Sequence, residues 1–147
     1  MKILSFCLFI VLVSCKTTYR KIEVNSISEK EKQKVYDFGK GLLETCITRQ
    51  FVQLSNRDVT EGLSHLSIEE MQNACDALDK TNGKFIDMKL VEVIDDTYLH
   101  NSKVYRYKGN FVRNDVAREI RIWLGNNGKF QGIIWKEWHD EYTPYKK

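Results

Sequence analysis

Residues 118–138 read REIRIWLGNNGKFQGIIWKEW. Two runs that alternate apolar with polar flank an Asn127-Gly128 step, the strongest short signal for a tight hairpin turn of type I′. A two-residue turn there sets Ile122 against Ile133, Ile120 against Trp135, Arg118 against Glu137 and Glu119 against Lys136. Ile120, Ile122, Leu124, Ile133 and Trp135 then share one face. Glu119, Arg121 and Lys136 share the other, with Trp123, Ile134 and Trp138 among them, and Gly132 leaves room for Trp123. Turn chemistry and apolar pattern agree, which is what a strand pair with one greasy side requires.

Working back along the chain, residues 103–112 alternate in the same way. A turn at Asn114-Asp115 would place Phe111 opposite Arg118, Gly109 opposite Ile120 and Tyr107 opposite Ile122. Tyr105, Tyr107 and Phe111 join the apolar face, while Arg106, Lys108 and Asn110 join the charged one. Residues 85–95 are β-rich and complete an expected four-stranded meander. Before Gly83 the period changes from two to 3.6. Ser67-Ile68-Glu69-Glu70 has the form of a capping box, and Ile68, Met71, Cys75 and Leu78 follow at helical spacing. Ser28-Glu29-Lys30-Glu31 repeats that form. Val35, Phe38, Leu42 and Cys46, with Leu43, Ile47, Phe51 and Leu54 beside them, predict a long first helix over about residues 29–54. Residues 56–63 read as a short helical turn, and Gly39 and Gly41 as sites of close helix–sheet approach. Helices followed by an antiparallel sheet with one apolar face give an α+β domain, the helices covering that face.

In element order, and in the stretch from Ile120 to Trp138, the chain resembles the nuclear-transport-factor-2-like superfamily over about residues 29–138; a cystatin-like layout fits the same pattern. The resemblance implies a curved, cone-shaped arrangement with a cavity between helices and sheet, used by relatives for ligands, catalysis or partner contacts.

The N-terminal end carries a different message. Lys2 precedes an apolar run over residues 3–13, too short for a membrane span, which needs about 20 apolar residues. Leu12-Val13-Ser14-Cys15 is similar to the lipobox of bacterial lipoproteins, in which the cysteine is acylated and the chain cut before it; an ordinary signal peptide with a chance cysteine is the alternative. The reading is a signal peptide over 1–14, a lipid-anchored tether over 15–27, the α+β domain over 28–139 and a tail over 140–147. Lys16 after the cysteine, in place of an aspartate, points to the outer membrane of a Gram-negative-type envelope. A formal charge of +3 is too small for a nucleic-acid partner.

For function, the sequence favours an envelope binding or interaction module. Two other readings stand beside it: a small cavity enzyme of isomerase or hydrolase type using a carboxylate base such as Asp37 or Glu137, and a structural or inhibitory protein without a pocket. Tyr105, Tyr107 and Trp135, with Arg118 and Glu137 at the rim, are the candidate pocket, suited to a small apolar ligand. Trp123, Ile134 and Trp138 form a candidate surface for an envelope protein or a second copy, unless the tail folds over them. Cys46 and Cys75 either form a disulfide or act as small buried hydrophobes. His65, His100 and His139 fall in loops or at an element end. No residue spacing calls for a metal or cofactor, and no catalytic residue is assigned.

Overall fold

The computed structural model describes residues 19–96, 101–113, 115 and 117–145. The signal segment and Cys15 lie outside these described residues, as do His100 and the turn residue Asn114.

The first helix, α1 (Glu29–Thr48), starts where Ser28 accepts a hydrogen bond from the Glu31 amide at 3.2 Å. Only half of the expected capping box forms. The Glu31 carboxylate turns to the sheet, where it accepts from the Tyr105 hydroxyl and from Lys103 Nζ at 2.7 Å. Val35, Gly39, Leu43 and Cys46 are the buried stripe of α1. The helix stops short of the expected residue 54 because Arg49 adopts a left-handed conformation (φ 59°), its amide closing on the Thr45 carbonyl at 2.8 Å. From that position its guanidinium grips Asp76 at 2.6 Å and Asp79 at 2.7 Å, tying the end of α1 to the third helix. A short α2 (Glu61–Ser64) follows, then α3 (Ile68–Asn82), which begins with a complete Ser67/Glu70 capping box.

The sheet is open, antiparallel and five-stranded, in the order β1 (Arg20–Ile22), β2 (Phe85–Asp95), β3 (Ser102–Phe111), β4 (Arg118–Gly125) and β5 (Phe130–Glu137). The fifth strand is β1, which pairs Lys21 with Ile94 and Ile22 with Val93 inside the stretch read as a tether. A three-residue run carries too little alternation to be seen in sequence.

The β4–β5 register is the expected one, Ile122 opposite Ile133 and Ile120 opposite Trp135. The turn differs in kind: Gly128 takes φ 77° after a Gly125–Gly128 turn (Gly128 N to Gly125 O, 2.8 Å), and a one-residue bulge beyond it restores the pairing. The β3–β4 register is displaced by two residues from expectation, Tyr107 facing Ile120 and Gly109 facing Arg118. The cause is that β3 runs past β4. Phe111 pairs with Phe85, their rings edge to face at 5.6 Å, and the Val112 and Arg113 amides bond to Lys84 and Asn82. An even shift leaves the faces unchanged, so the helices cover Tyr105, Tyr107, Phe111, Ile120 and Ile122 as anticipated.

The other face is also covered. The tail crosses it as a strap. Tyr142, 2% exposed, packs with Ile94, Val104 and Trp123 in a second small core, with Tyr19 and Ile134 against it.

Candidate functional site

The helical layer does not close fully on the sheet. Between α1, α3, the α2 region and β5 lies a cleft of about 160 Å³ lined by Cys46 and Cys75 and by apolar side chains, chiefly Leu42, Leu54, Leu63, Met71, Ile133 and Trp135. Each element contributes through its period. Leu42 and Cys46 stand one turn apart on α1 and Met71 and Cys75 one turn apart on α3, while Ile133 and Trp135 are alternate residues of β5. Cys46 and Cys75 are bonded to each other, Cα atoms 5.0 Å apart, so the cavity wall contains the covalent link between α1 and α3. The polar groups are few. Thr45 spends its hydroxyl proton on the Leu42 carbonyl at 2.6 Å. The Glu70 carboxylate at the mouth accepts from the Ser67 amide at 2.7 Å, which favours its ionised form and holds its pKa below the usual carboxylate range. A second hollow of about 300 Å³ adjoins the first, reaching Asp37, Phe51 and Val52, and shares Leu42, Thr45, Leu54 and Met71 as a common wall.

Of the residues expected to form the pocket, only Trp135 lines this cavity. Tyr105 and Tyr107 are core. The Tyr105 hydroxyl donates to Glu31, and burial, reinforced by that carboxylate, raises its pKa. Tyr107, 1% exposed, is likewise raised by burial, and its hydroxyl has no hydrogen-bond partner among the described residues. Arg118 and Glu137 face each other at the ends of β4 and β5, away from the cavity. Asp37 flanks the outer hollow and accepts from Gln33 Nε2 at 2.8 Å. His65 caps α2, and His139 lies on the strap, both exposed. Among the described residues no three His, Cys, Asp or Glu side chains are placed to hold a metal, and no helix is long and apolar enough to cross a membrane. Compared with known family models, curated proteins and solved structures, the chain matches none.

The strap side holds a second constellation. Arg106, Glu119 and Arg121, each at most 1% exposed, form a buried charge network. Arg106 is bidentate to Glu119, Nε to Oε1 at 2.6 Å and Nη2 to Oε2 at 3.0 Å, and also donates to Glu92. Arg121 donates to the same Glu119 carboxylate. The strap completes the set with two carbonyls: His139 O takes Arg106 Nη2 and Thr143 O takes Arg121 Nη1, both at 2.6 Å. The Tyr142 ring lies 4.6 Å from the Arg121 guanidinium, and the Trp138 ring 4.5 Å from that of Arg106. Burial alone would raise the Glu119 pKa, but the bonds from Arg106 and Arg121 outweigh it and hold the carboxyl below the usual range. Lys136 stands opposite Glu119 as expected, but the Glu119 oxygens are taken up by the two arginines. Trp123 and Ile134, expected on a free partner surface, lie under Tyr142, with Trp123 7% exposed; Trp138 is half-buried.

Proposed function

We propose that this is a lipid-anchored envelope domain whose helix–sheet cleft binds a small, uncharged, apolar molecule. The cavity's composition carries that reading. An enclosed engineered apolar cavity of ~150 Å³ takes benzene or xenon, and the present cleft, though open to solvent on one side, has a similar volume of about 160 Å³ and a wall chiefly of leucine, methionine, isoleucine and tryptophan. The carboxylate at its mouth is committed to a helix cap, which supports binding over general-base chemistry. Met71, unbranched and on both walls, is the side chain whose rotamer would join the two hollows and admit a longer ligand. The long first helix and covered sheet also support a nuclear-transport-factor-2-like, cone-shaped assignment. The anchor reading rests on the Leu12–Cys15 motif.

Ala74 lines the cavity, so Ala74→Leu fills part of it. Titration of toluene against the mature domain, followed by Trp135 fluorescence, is expected to saturate for the native chain and to weaken about tenfold or more for Ala74→Leu, since lost contacts in a small apolar site cost on the order of 1–3 kcal/mol. Equal binding by both, or no saturation up to the solubility of toluene, would refute the assignment.

A further inference from the structure

The Cys46–Cys75 bond joins the two helical walls of the cleft. Cys46 is 5% exposed and Cys75 4%, both within the core that holds Leu43 and Leu78. What interrupts that packing is the cleft. Both cysteines line it, flanked by Leu42 one turn before Cys46 on α1 and by Ala74 beside Cys75 on α3. The outer hollow shares Leu42, Thr45, Leu54 and Met71 with the cleft but touches neither cysteine. Of these two hollows, the one that borders the disulfide is therefore the one with the enclosed apolar wall.

A cleft of about 160 Å³ has room for one guest of benzene size and no second molecule beside it. Thiol–disulfide exchange needs a thiolate in contact with a sulfur. The thiolate of a small dithiol attacks one cysteine sulfur and forms a mixed disulfide, and the other cysteine leaves as a thiolate that takes a proton from water. The second thiol of the reagent gives its proton to water and attacks the mixed disulfide. The reagent leaves as a cyclic disulfide, and the remaining cysteine is freed and protonated. Two electrons pass to the protein, and the reagent is oxidised by the same two. Each attack requires the space that an apolar guest would fill. The bond matters to that guest in turn, because it ties α1 to α3 covalently. Another tie between these helices, Arg49 with Asp76 and Asp79, is in contact with water, where ion pairs hold weakly.

We propose that the cleft is the path by which a thiol reaches the Cys46–Cys75 bond, so that a bound apolar molecule and an attacking thiolate exclude one another and the guest preserves the link between the walls of its own site. The proposal rests on the ligand-binding reading of the cleft. The test treats the oxidised protein with dithiothreitol under native conditions, quenches with iodoacetamide, and reads alkylation of Cys46 and Cys75 by peptide mass spectrometry. Saturating toluene is expected to slow reduction about tenfold or more. Ala74→Leu, which fills part of the cleft, should slow it similarly with no toluene present, its urea midpoint being measured alongside. In 1 M urea the rate should change less than twofold, whereas reduction that waits for global unfolding would rise about tenfold or more per M. A rate that ignores Ala74→Leu, or that climbs with urea as unfolding does, would overturn the path. Toluene that binds by Trp135 fluorescence yet leaves the rate unchanged would overturn the exclusion. Slowing by Ala74→Leu, with neither binding nor slowing by toluene, would support the path and sink the ligand-binding reading instead.

Discussion

Replacing Glu119 by glutamine removes one charge and no volume from the centre of the strap-side network, and should be among the most damaging single changes available. In the native protein this carboxylate, 0% exposed, receives two guanidiniums. Without it Arg106 keeps Glu92 and Arg121 keeps a strap carbonyl, but two cations share a site closed to water. Breaking a buried ion pair by removing one partner costs about 3–5 kcal/mol, against a total stability of ~5–15 kcal/mol for a domain. With a urea m-value of ~2 kcal/mol per M, the unfolding midpoint should fall by about 2 M. The pH dependence fixes the mechanism. The folded-state pKa of Glu119 is held below its ordinary value, so its contribution is complete above the unfolded-state pKa of about 4.3 and disappears as pH falls through the folded value. The gap between native and variant midpoints should therefore be widest near neutrality and should close in acid. A companion variant with Arg106→Met, Glu119→Leu and Arg121→Met, which leaves no charge stranded, should be more stable than Glu119→Gln. A loss below about 1 kcal/mol at pH 7 for Glu119→Gln, or a gap that ignores pH, would refute the account.

Two further changes test the helical layer. A methyl group on Gly39 would meet Ile122 Cδ1 and lie 2.8 Å from Met88 Cε, whereas one on Gly41 would meet nothing within 4 Å. Gly41→Ala should raise the melting temperature through helix propensity, by up to ~1 kcal/mol; Gly39→Ala should lower it, overpacking of ~1–3 kcal/mol exceeding the same gain. A shift of both in one direction would contradict the close contact. Opening the Cys46–Cys75 link, by reductant or by paired alanines, should cost about 3–4 kcal/mol for a loop of this size. An unchanged urea midpoint on reduction, or a maleimide reacting with both thiols of the unfolded, unreduced chain, would count against the link.

The layer order of the fold was legible because amphipathic periods of 3.6 and two leave their mark on Val35, Leu43 and Cys46 and on Ile120 and Ile122 alike. The cleft was not, for the same reason. Leu42, Leu63 and Met71 sit on helical segments and Leu54 on the loop after α1, and pattern cannot separate a leucine that fills a core from one that borders a void. Trp135 was picked out through its face, while Tyr105 and Tyr107, on that same face, lie toward the middle of the sheet where α1 presses closest. The end of α1 was missed because Arg49 stops the helix in a conformation that favours glycine, held by two aspartates of α3. Nothing local to residues 46–54 announces that partnership.

The buried charges explain what alternation alone left open. A shift of two residues between β3 and β4 returns every side chain to its own face, so the apolar pattern accepts either register equally. In the register expected from a tight turn at Asn114-Asp115, Arg106 would stand opposite Trp123, and Glu119 opposite Asn110. In the register found, Arg106 faces Arg121 and Lys108 faces Glu119. A direct arginine pair is unfavourable by itself, and it is tolerated here because Glu119 receives both guanidiniums while the strap supplies a carbonyl to each. Only this register brings those groups together. Buried ion pairs add little net stability, and their best-attested use is to select one arrangement among near-equals. The strap-side network is such a selector: the greasy face determines which side of the sheet the helices cover, and the charged face determines where along β3 the strand β4 comes to rest.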